Sequence, residues 1–373
     1  MKKAQHIIGS IARTLLALTF LFSGFVKAVD PLGTVYKIED YLKAFGGVFA
    51  EWLPWAGIAA VCLISIEMLL GVCMLLNVRT NWTSWLSLLF YLVMTPLTLW
   101  IALTNPVTDC GCFGDAIVLT NWQTFWKNIV LLTLVIVLLC TKRAIPQLFV
   151  GWMEIIIALC GLGIAGGIMA YSYTHLPPID FRPYKVGNNI PELMEIPEGA
   201  EPDIYEVTLV YEKDGVQQEF TLDNYPKGDS TWTFVDQKSV LVKKGYEAPI
   251  HDFEILTLEF EDLTDAILGF DEPITLITMY DLNKTDRKQL DKVRRLYEAC
   301  QARGEQCYLL TGSGEDEIYA FAEEMGWTED QALQAFCTID PVTLKTIVRA
   351  NPGMFVVQNG NIIEKHNLRQ MDL

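Results

Sequence analysis

Asp109-Cys110-Gly111-Cys112-Phe113-Gly114-Asp115 is a short polar loop carrying two cysteines, set between two long apolar runs. Cysteines one glycine apart can close a disulfide, but the small ring strains it. A strained bond is easier to reduce, and a better oxidant, than a relaxed one. Gly111 and Gly114 let the backbone turn where a Cβ would clash. Thiol–disulfide exchange is the sharp reading of this loop; a fixed structural disulfide, two unpaired thiols in a turn and half of a metal site are the bland ones. The metal site is the weakest, since no His or further Cys lies at zinc-ligand spacing, so no metal is expected.

Working outward, the charge is divided along the chain. The net charge is −17, yet up to Asp180 ten Lys/Arg balance nine Asp/Glu, and after it eighteen face thirty-six. The first half is an apolar body and the second an acidic, water-soluble one. Such acidity argues against nucleic acid as a partner. Met1-Lys2-Lys3 before an apolar run could open a signal peptide, but Val26-Lys27-Ala28 is a poor cleavage site. Runs near Ile7–Ala28, Trp55–Leu76, Trp82–Thr104, Thr124–Thr141 and Leu148–Tyr173 are long enough to cross a bilayer, which takes about 20 residues. Five spans are predicted, with membrane lipid around them. Gly161, Gly163, Gly166 and Gly167 in the last would permit close helix packing.

Lys2, Lys3, Arg79, Lys142 and Arg143 fall on one side if the N-terminus is cytoplasmic. Lys27, Lys37 and Lys43 on the other side are diluted by Asp30, Glu39, Asp40 and Glu51. This bias places the Cys110/Cys112 loop outside, and an odd number of crossings puts everything after Tyr173 there too. Outside is where disulfides persist. Trp52, Trp55, Trp82, Trp122 and Trp152 sit near span ends, as an aromatic belt should.

Two charges lie inside spans, Arg13 in the first and Glu67 in the second. An isolated charge at that depth costs several kcal/mol, so each faces the bundle interior, pairs or is neutral. The antiparallel run of the two helices suggests that they pair with each other. Cys62 and Cys73 share the second helix, about 16 Å apart at 1.5 Å per residue, too far to pair. Cys62 is nearer the outer face and could receive electrons from the loop, although a buried Cys is usually packing.

Beyond Leu176, Pro177-Pro178 and Arg182-Pro183 form a stiff exit. Ile204–Tyr211 and Val216–Leu222 alternate around Lys213-Asp214-Gly215, a hairpin signal, and short strands are expected near Thr231–Val235 and Val240–Lys243. The final segment reads as strand Pro273–Asp281, helix Lys284–Gly304, strand Glu305–Thr311, helix Glu315–Gly326, strand Phe336–Asp340 and helix Pro341–Ala350. A closing hairpin of Met354–Gln358 and Ile362–Lys365 follows. That order is an α/β fold over a mixed sheet.

Arg13, Ser23-Gly24-Phe25 with Lys27, Glu67, Gly71 and the Cys-Gly-Cys-Phe-Gly run at 110–114 resemble the DoxX/MauE family of membrane bundles over about residues 5–145. The resemblance implies Cys110 and Cys112 as the catalytic redox pair, Glu67 as a bundle residue of unknown role and a possible quinone as cofactor; Cys62, from its place in the second span, and Glu67 are the secondary candidates, and a bacterial inner (cytoplasmic) membrane is the expected location. Residues 245–373 resemble TlpA-like and peroxiredoxin-like thioredoxin-fold domains: Ala248-Pro249 with Asp252-Phe253 looks like their entry segment, and Asn351-Pro352 stands where they hold a partner-binding proline loop. The family's Cys-x-x-Cys is replaced here by Leu282-Asn283-Lys284-Thr285, so ordinary thioredoxin chemistry is not expected. Cys300 and Cys307 are close enough in sequence to pair, as a structural disulfide, buried free thiols or a displaced redox pair, leaving Cys337 odd.

The architecture expected is a multi-pass α-helical membrane bundle followed by a small β unit and an α/β thioredoxin-like domain. Its parts are a four-helix domain at 1–145, a fifth helix and exit linker at 146–177, a β-rich unit at 178–244 and the final domain at 245–373. The function expected is membrane thiol–disulfide redox, supporting disulfide formation in exported proteins. On this reading Asp109 and Asp115 raise the thiol pKa values and disfavour a very reactive thiolate. The alternative is a non-enzymatic scaffold that binds an extracytoplasmic protein partner through its soluble modules. Transport has only Arg13 and Glu67 to mark a path. The topology is checked by adding protease to right-side-out spheroplasts: digestion of the segment after Tyr173 is expected, and full protection would overturn the orientation.

Overall fold

Helix α1 (Lys2–Val29) ends at Asp30, and Asp30 starts the next helix. Its carboxylate accepts from the Gly33 amide at 3.0 Å, and Pro31 follows at the first position, where no amide donor is needed. The helix so begun, α2 (Pro31–Phe45), is too short and polar to span, and hydropathy alone does not reveal it. A 3-10 segment (Gly47–Trp55) leads into α3 (Ala56–Leu75), followed by α4 (Thr80–Thr104), α5 (Asn121–Thr141) and α6 (Trp152–Thr174). The computed structural model describes residues 2–107, 109–145, 148–149, 151–201, 204–213, 215–229, 231–243 and 245–371; Asp214 of the expected hairpin turn and the boundary residues Lys244 and Leu373 lie outside them. Among the described residues five helices are long and apolar enough to cross a membrane.

The spans α1 and α3 meet backbone to backbone. A Cβ at Gly71 would stand 2.8 Å from the Leu21 amide, and one at Gly24 would stand 3.0 Å from the Met68 amide. Small residues at these crossings bring the two helices together, and Leu16, Phe20, Leu70, Met74, Tyr91 and Leu138 fill the interior beside them. In α6 only Gly161 has a close neighbour, the Val72 side chain at 3.2 Å; Gly163, Gly166 and Gly167 have nothing within 4 Å. The expected glycine packing therefore reduces to the face of Gly161 and Ala165, four residues apart.

After α6 the chain enters a sheet-rich region without a free linker. Asn367 and Gln370 both donate side-chain amides to the Thr174 carbonyl at 3.2 Å, tying the end of the last span to the C-terminal segment. Asp180 bridges Arg182 at 2.7 Å and Lys365 at 2.7 Å, while Tyr184 and Ile190 enter the final domain's core. The short helix α7 (Ile190–Met194) closes this stretch. The structure thus packs 180–194 with the large sheet, and the small unit is an insertion: β1 (Ile204–Lys213), β2 (Val216–Thr221) and β3 (Thr233–Lys243), in the antiparallel order β2-β1-β3. The two short strands expected within 231–243 are one continuous strand.

The large sheet comprises β4 (Leu256–Thr257), β5 (Ile274–Met279), β6 (Cys307–Thr311), β7 (Phe336–Thr338), β8 (Gly353–Gln358) and β9 (Asn361–Asn367). Helices α8 (Thr264–Leu268), α9 (Leu290–Arg303), α10 (Glu315–Glu324), α11 (Glu329–Ala335) and α12 (Pro341–Ile347) connect them. Strand order is β4-β7-β6-β5-β8-β9, with β5, β6 and β7 parallel and the remaining pairings antiparallel. Ile274 and Leu276 point to one core and Ile277 and Met279 to the other, so both faces are covered and the strand reads as a nearly continuous apolar run.

Gly71→Ala is expected to lower the melting temperature of the detergent-solubilised chain, because overpacking outweighs the roughly 1 kcal/mol that Ala gains over Gly in a helix. Gly163→Ala, with open space around it, is expected to leave the melting temperature unchanged or raise it.

Candidate active site

Each backbone carbonyl of the two cysteines is held from a different helix. Tyr41 on α2 donates to the Cys110 carbonyl at 2.6 Å. On α1, Ser23 and Lys27 donate to the Cys112 carbonyl at 2.8 and 2.6 Å. Lys37, one turn before Tyr41, reaches Asp109 at 2.8 Å, and its aliphatic stem lies where a Cβ at Gly111 would be, 2.9 Å away. Gly111 is needed on two counts, since its φ is also +64°.

Lys27 is the node. Its ammonium also reaches the Ser23 hydroxyl at 2.6 Å and both Glu67 carboxylate oxygens at 3.1 and 3.0 Å, and Lys27 and Glu67 are only 5% and 4% exposed. The expected Arg13–Glu67 pair is not formed. The helix register, Leu21 against Gly71 and Gly24 against Met68, sets Glu67 beside Lys27 and leaves Arg13 about 21 Å further along α1. Arg13 Nε and Nη1 are buried without a hydrogen-bond partner. The sequence carried one signal for the true pair, a Lys near the end of a span facing a Glu in the next.

The Cys110 and Cys112 sulfurs lie 2.9 Å apart, Cys110 buried and Cys112 half-buried. The Cys112 thiol is pushed down from the usual thiol range, first by the hydrogen bond from Cys110 and then by the nearby ammonium groups of Lys127 and Lys27. Cys110 is pushed up, by that same bond and by burial. This corrects the expectation that Asp109 and Asp115 hold both thiols high: Asp109 is engaged by Lys37 and the Gly111 amide, and Asp115 faces Arg349 at 3.4 Å. Lys127 sits 4.2 Å from the centroid of the Phe113 ring.

A cavity of about 370 Å³ runs past both cysteines. Below, it is walled by Phe20, Phe90, Tyr91 and Leu131, with Lys127 and Asn128 on its polar side; above, it reaches Val342, Lys345 and Arg349 of the soluble domain. Arg349, 7% exposed, holds Asp30 at 2.9 Å, and Lys345 lies 4.9 and 5.2 Å from the Tyr36 and Tyr280 ring centroids. The soluble domain therefore roofs the cysteine loop.

The other sequence candidates are scattered. Cys62 is exposed on the outer side of α3 and does not line the cavity. Asn351 and Pro352, joined by a cis peptide, lie in the soluble domain; Asn351 donates to the Asp281 carbonyl at 2.9 Å and accepts from Thr285 at 3.1 Å. They adjoin the Leu282–Lys284 turn. Cys300 and Cys307 are neighbours in one core, and Cys337 lies in the other, across the sheet. No group of three His, Cys, Asp or Glu side chains able to hold a metal ion occurs among the described residues.

These helices also match a known family. The model for methylamine utilisation protein MauE covers residues 5–141. The membrane bundle is MauE-like. A second match, to a domain of unknown function (DUF8463), covers residues 205–244, the three-stranded insertion. No curated protein matches the chain. The MauE-like region takes in α1 to α5 and the whole Cys110–Asp115 loop, but not α6 or the soluble domain above it.

The thiol asymmetry has a measurable consequence. In the reduced chain, alkylation by iodoacetamide is expected to modify Cys112 with a midpoint below that of an ordinary thiol, its rate falling at lower pH as the thiolate is protonated. Cys110 is expected to remain unmodified through neutral pH. Mass spectrometry of the alkylated peptides distinguishes the two.

Proposed function

We propose that the chain is a bacterial inner-membrane thiol–disulfide exchange protein acting on extracytoplasmic polypeptides. The observation that carries this reading is the pairing of a low-pKa Cys112 with a high-pKa Cys110, 2.9 Å apart and facing one cavity. In the reduced form, the Cys112 thiolate attacks a substrate disulfide, one substrate sulfur leaves and takes a proton, and a mixed disulfide forms. Cys110, deprotonated as it attacks, then displaces the second substrate sulfur and closes the Cys110–Cys112 bond. In reverse, a substrate thiolate attacks Cys112, Cys110 leaves protonated, and the second substrate thiol releases an oxidised substrate. Each direction moves two electrons and two protons between one dithiol and one disulfide.

Repeated substrate oxidation requires an acceptor, and a membrane quinone is the class proposed. The residues fit one: the cavity wall below the cysteines is aromatic and aliphatic, and Tyr91, Lys127 and Asn128 offer hydrogen-bond donors to the quinone carbonyl oxygens. A bound quinone accepts two electrons and two protons. The part of this chain is to hold Cys112 at the cavity wall through Ser23 and Lys27.

For the soluble domain a thioredoxin-like fold without the redox pair is proposed. Three parallel strands flanked by the antiparallel β8 and β9, with the Asn351–Pro352 loop entering β8, support it. The Leu282–Lys284 turn, capped by Asp281 where the cysteines would be, also favours a second reading, in which this domain only binds a partner and the membrane cysteines staple a loop.

Trapping decides between them. Both directions place the mixed disulfide on Cys112, so Cys110→Ser is expected to accumulate a discrete covalent adduct that disappears on reduction. Cys112→Ser and the double variant are expected to trap nothing, and Cys337→Ser to leave the trapped species unchanged. Absence of an adduct together with full cellular function of both single variants would leave the scaffold reading in its place.

A further inference from the structure

The contact between the soluble domain and the bundle is built around one buried arginine. Arg349 Nε meets Asp30 Oδ1 and Oδ2 at 3.1 and 2.9 Å, Nη2 meets Asp115 Oδ2 at 3.4 Å, and Nη1 donates to the Lys345 carbonyl at 2.6 Å. A Cβ at Gly33 would come within 2.9 Å of Nη2, so the helix leaves room for the guanidinium there. The Tyr36 ring lies 5.4 Å below it. Burial would lift the Asp30 carboxyl, but the charges of Arg349 and Arg182 and the Gly33 amide outweigh it and hold it below the usual carboxylate range.

The two carboxylates that Arg349 grips are the two ends of the cysteine site. Asp30 is the N-cap of α2, the helix whose Lys37 and Tyr41 hold Asp109 and the Cys110 carbonyl. Asp115 ends the cysteine loop itself. We infer that Arg349 is a positioning residue for the cysteines: by fixing α2 at Asp30 and the loop at Asp115, it makes the soluble domain a working part of the membrane redox site. This deepens the exchange reading by giving the soluble domain, which lacks cysteines at its own turn, a part in setting Cys112 chemistry.

The groups facing Cys112 define what its titration reports. They are Lys27 on α1, Tyr41 on α2, Glu67 on α3, Tyr91 on α4, Lys127 on α5, and Cys110 beside it. Its thiolate depends on staying near Lys27 and Lys127, which a loosened loop does not ensure. Releasing the clamp is therefore expected to raise the Cys112 midpoint.

The test is the pH dependence of Cys112 alkylation in the reduced, full-length chain in detergent, comparing wild type with Arg349→Gln, Arg349→Lys, Asp30→Asn and Asp115→Asn. Asn remains a good helix N-cap, so Asp30→Asn removes the ion pair while keeping α2. Positioning predicts that Arg349→Gln and Asp30→Asn both raise the midpoint. At a fixed pH below the midpoint, the alkylation rate then falls about tenfold for every pH unit by which the midpoint rises. Arg349→Lys, which keeps one charge contact, falls between. A pure through-space charge effect predicts the opposite sign for the Asp variants, since removing an anion favours the thiolate. A lowered or unmoved midpoint in folded Asp30→Asn overturns the inference. Asp115→Asn, altering a half-exposed side chain, supplies the same reading should Asp30→Asn not fold. Because alkylation needs no partner, this outcome is independent of the trapping result, and the two readings can fail separately.

Discussion

The buried pair of Lys27 and Glu67 sets the rest of the site. Two charges with about 5% exposure each are stable only if they satisfy one another and their remaining hydrogen bonds, and here Ser23 and the Cys112 carbonyl complete the set around Lys27. Removing one partner of such a pair strands the other, at a cost of about 3–5 kcal/mol. The pair locks α1 to α3 in the register that the glycine contacts allow, and the same ammonium fixes the height of the cysteine loop. Helix packing and loop position thus depend on one cation, which also adds to the charge that favours the Cys112 thiolate.

The site is assembled in layers around that point. Helix α2 lies between the bundle and the soluble domain, offering Lys37 and Tyr41 to the loop and Asp30 and Tyr36 to the domain above. Cys110 and Cys112 then differ in ionisation although they are two residues apart, because the lysines and the Cys110 hydrogen bond favour charge on one sulfur while burial opposes it on the other. Such a split gives a dithiol a nucleophile and a resolving partner.

Hydropathy alone makes the five spans legible, and the alternation of apolar residues marks the hairpin and the main strands. The cysteine loop stands out because two thiols and two glycines fall within five residues between apolar runs. Helix α2 does not stand out: its polar face looks like a loop until Asp30 and Pro31 are read as a cap and a first turn. Arg13 looks like the partner of Glu67 because both are charges in spans, whereas the choice of partner depends on helix register, which composition does not encode. Arg349 and Asp30 are 319 residues apart, and no local pattern links them. The packing of residues 180–194 against the large sheet is hidden for the same reason, since Tyr184 and Ile190 find their contacts in strands far along the chain.

The hydrogen bonds from Asn367 and Gln370 to the Thr174 carbonyl bear on how this protein meets other molecules. A domain on a flexible tether searches a volume, and its local concentration at any site falls as the tether lengthens. Here the last span runs into the domain with its end held from the other side, and Arg349 provides a second point of attachment. The domain is attached above the cysteines at two separate points, so its position there does not rest on a linker.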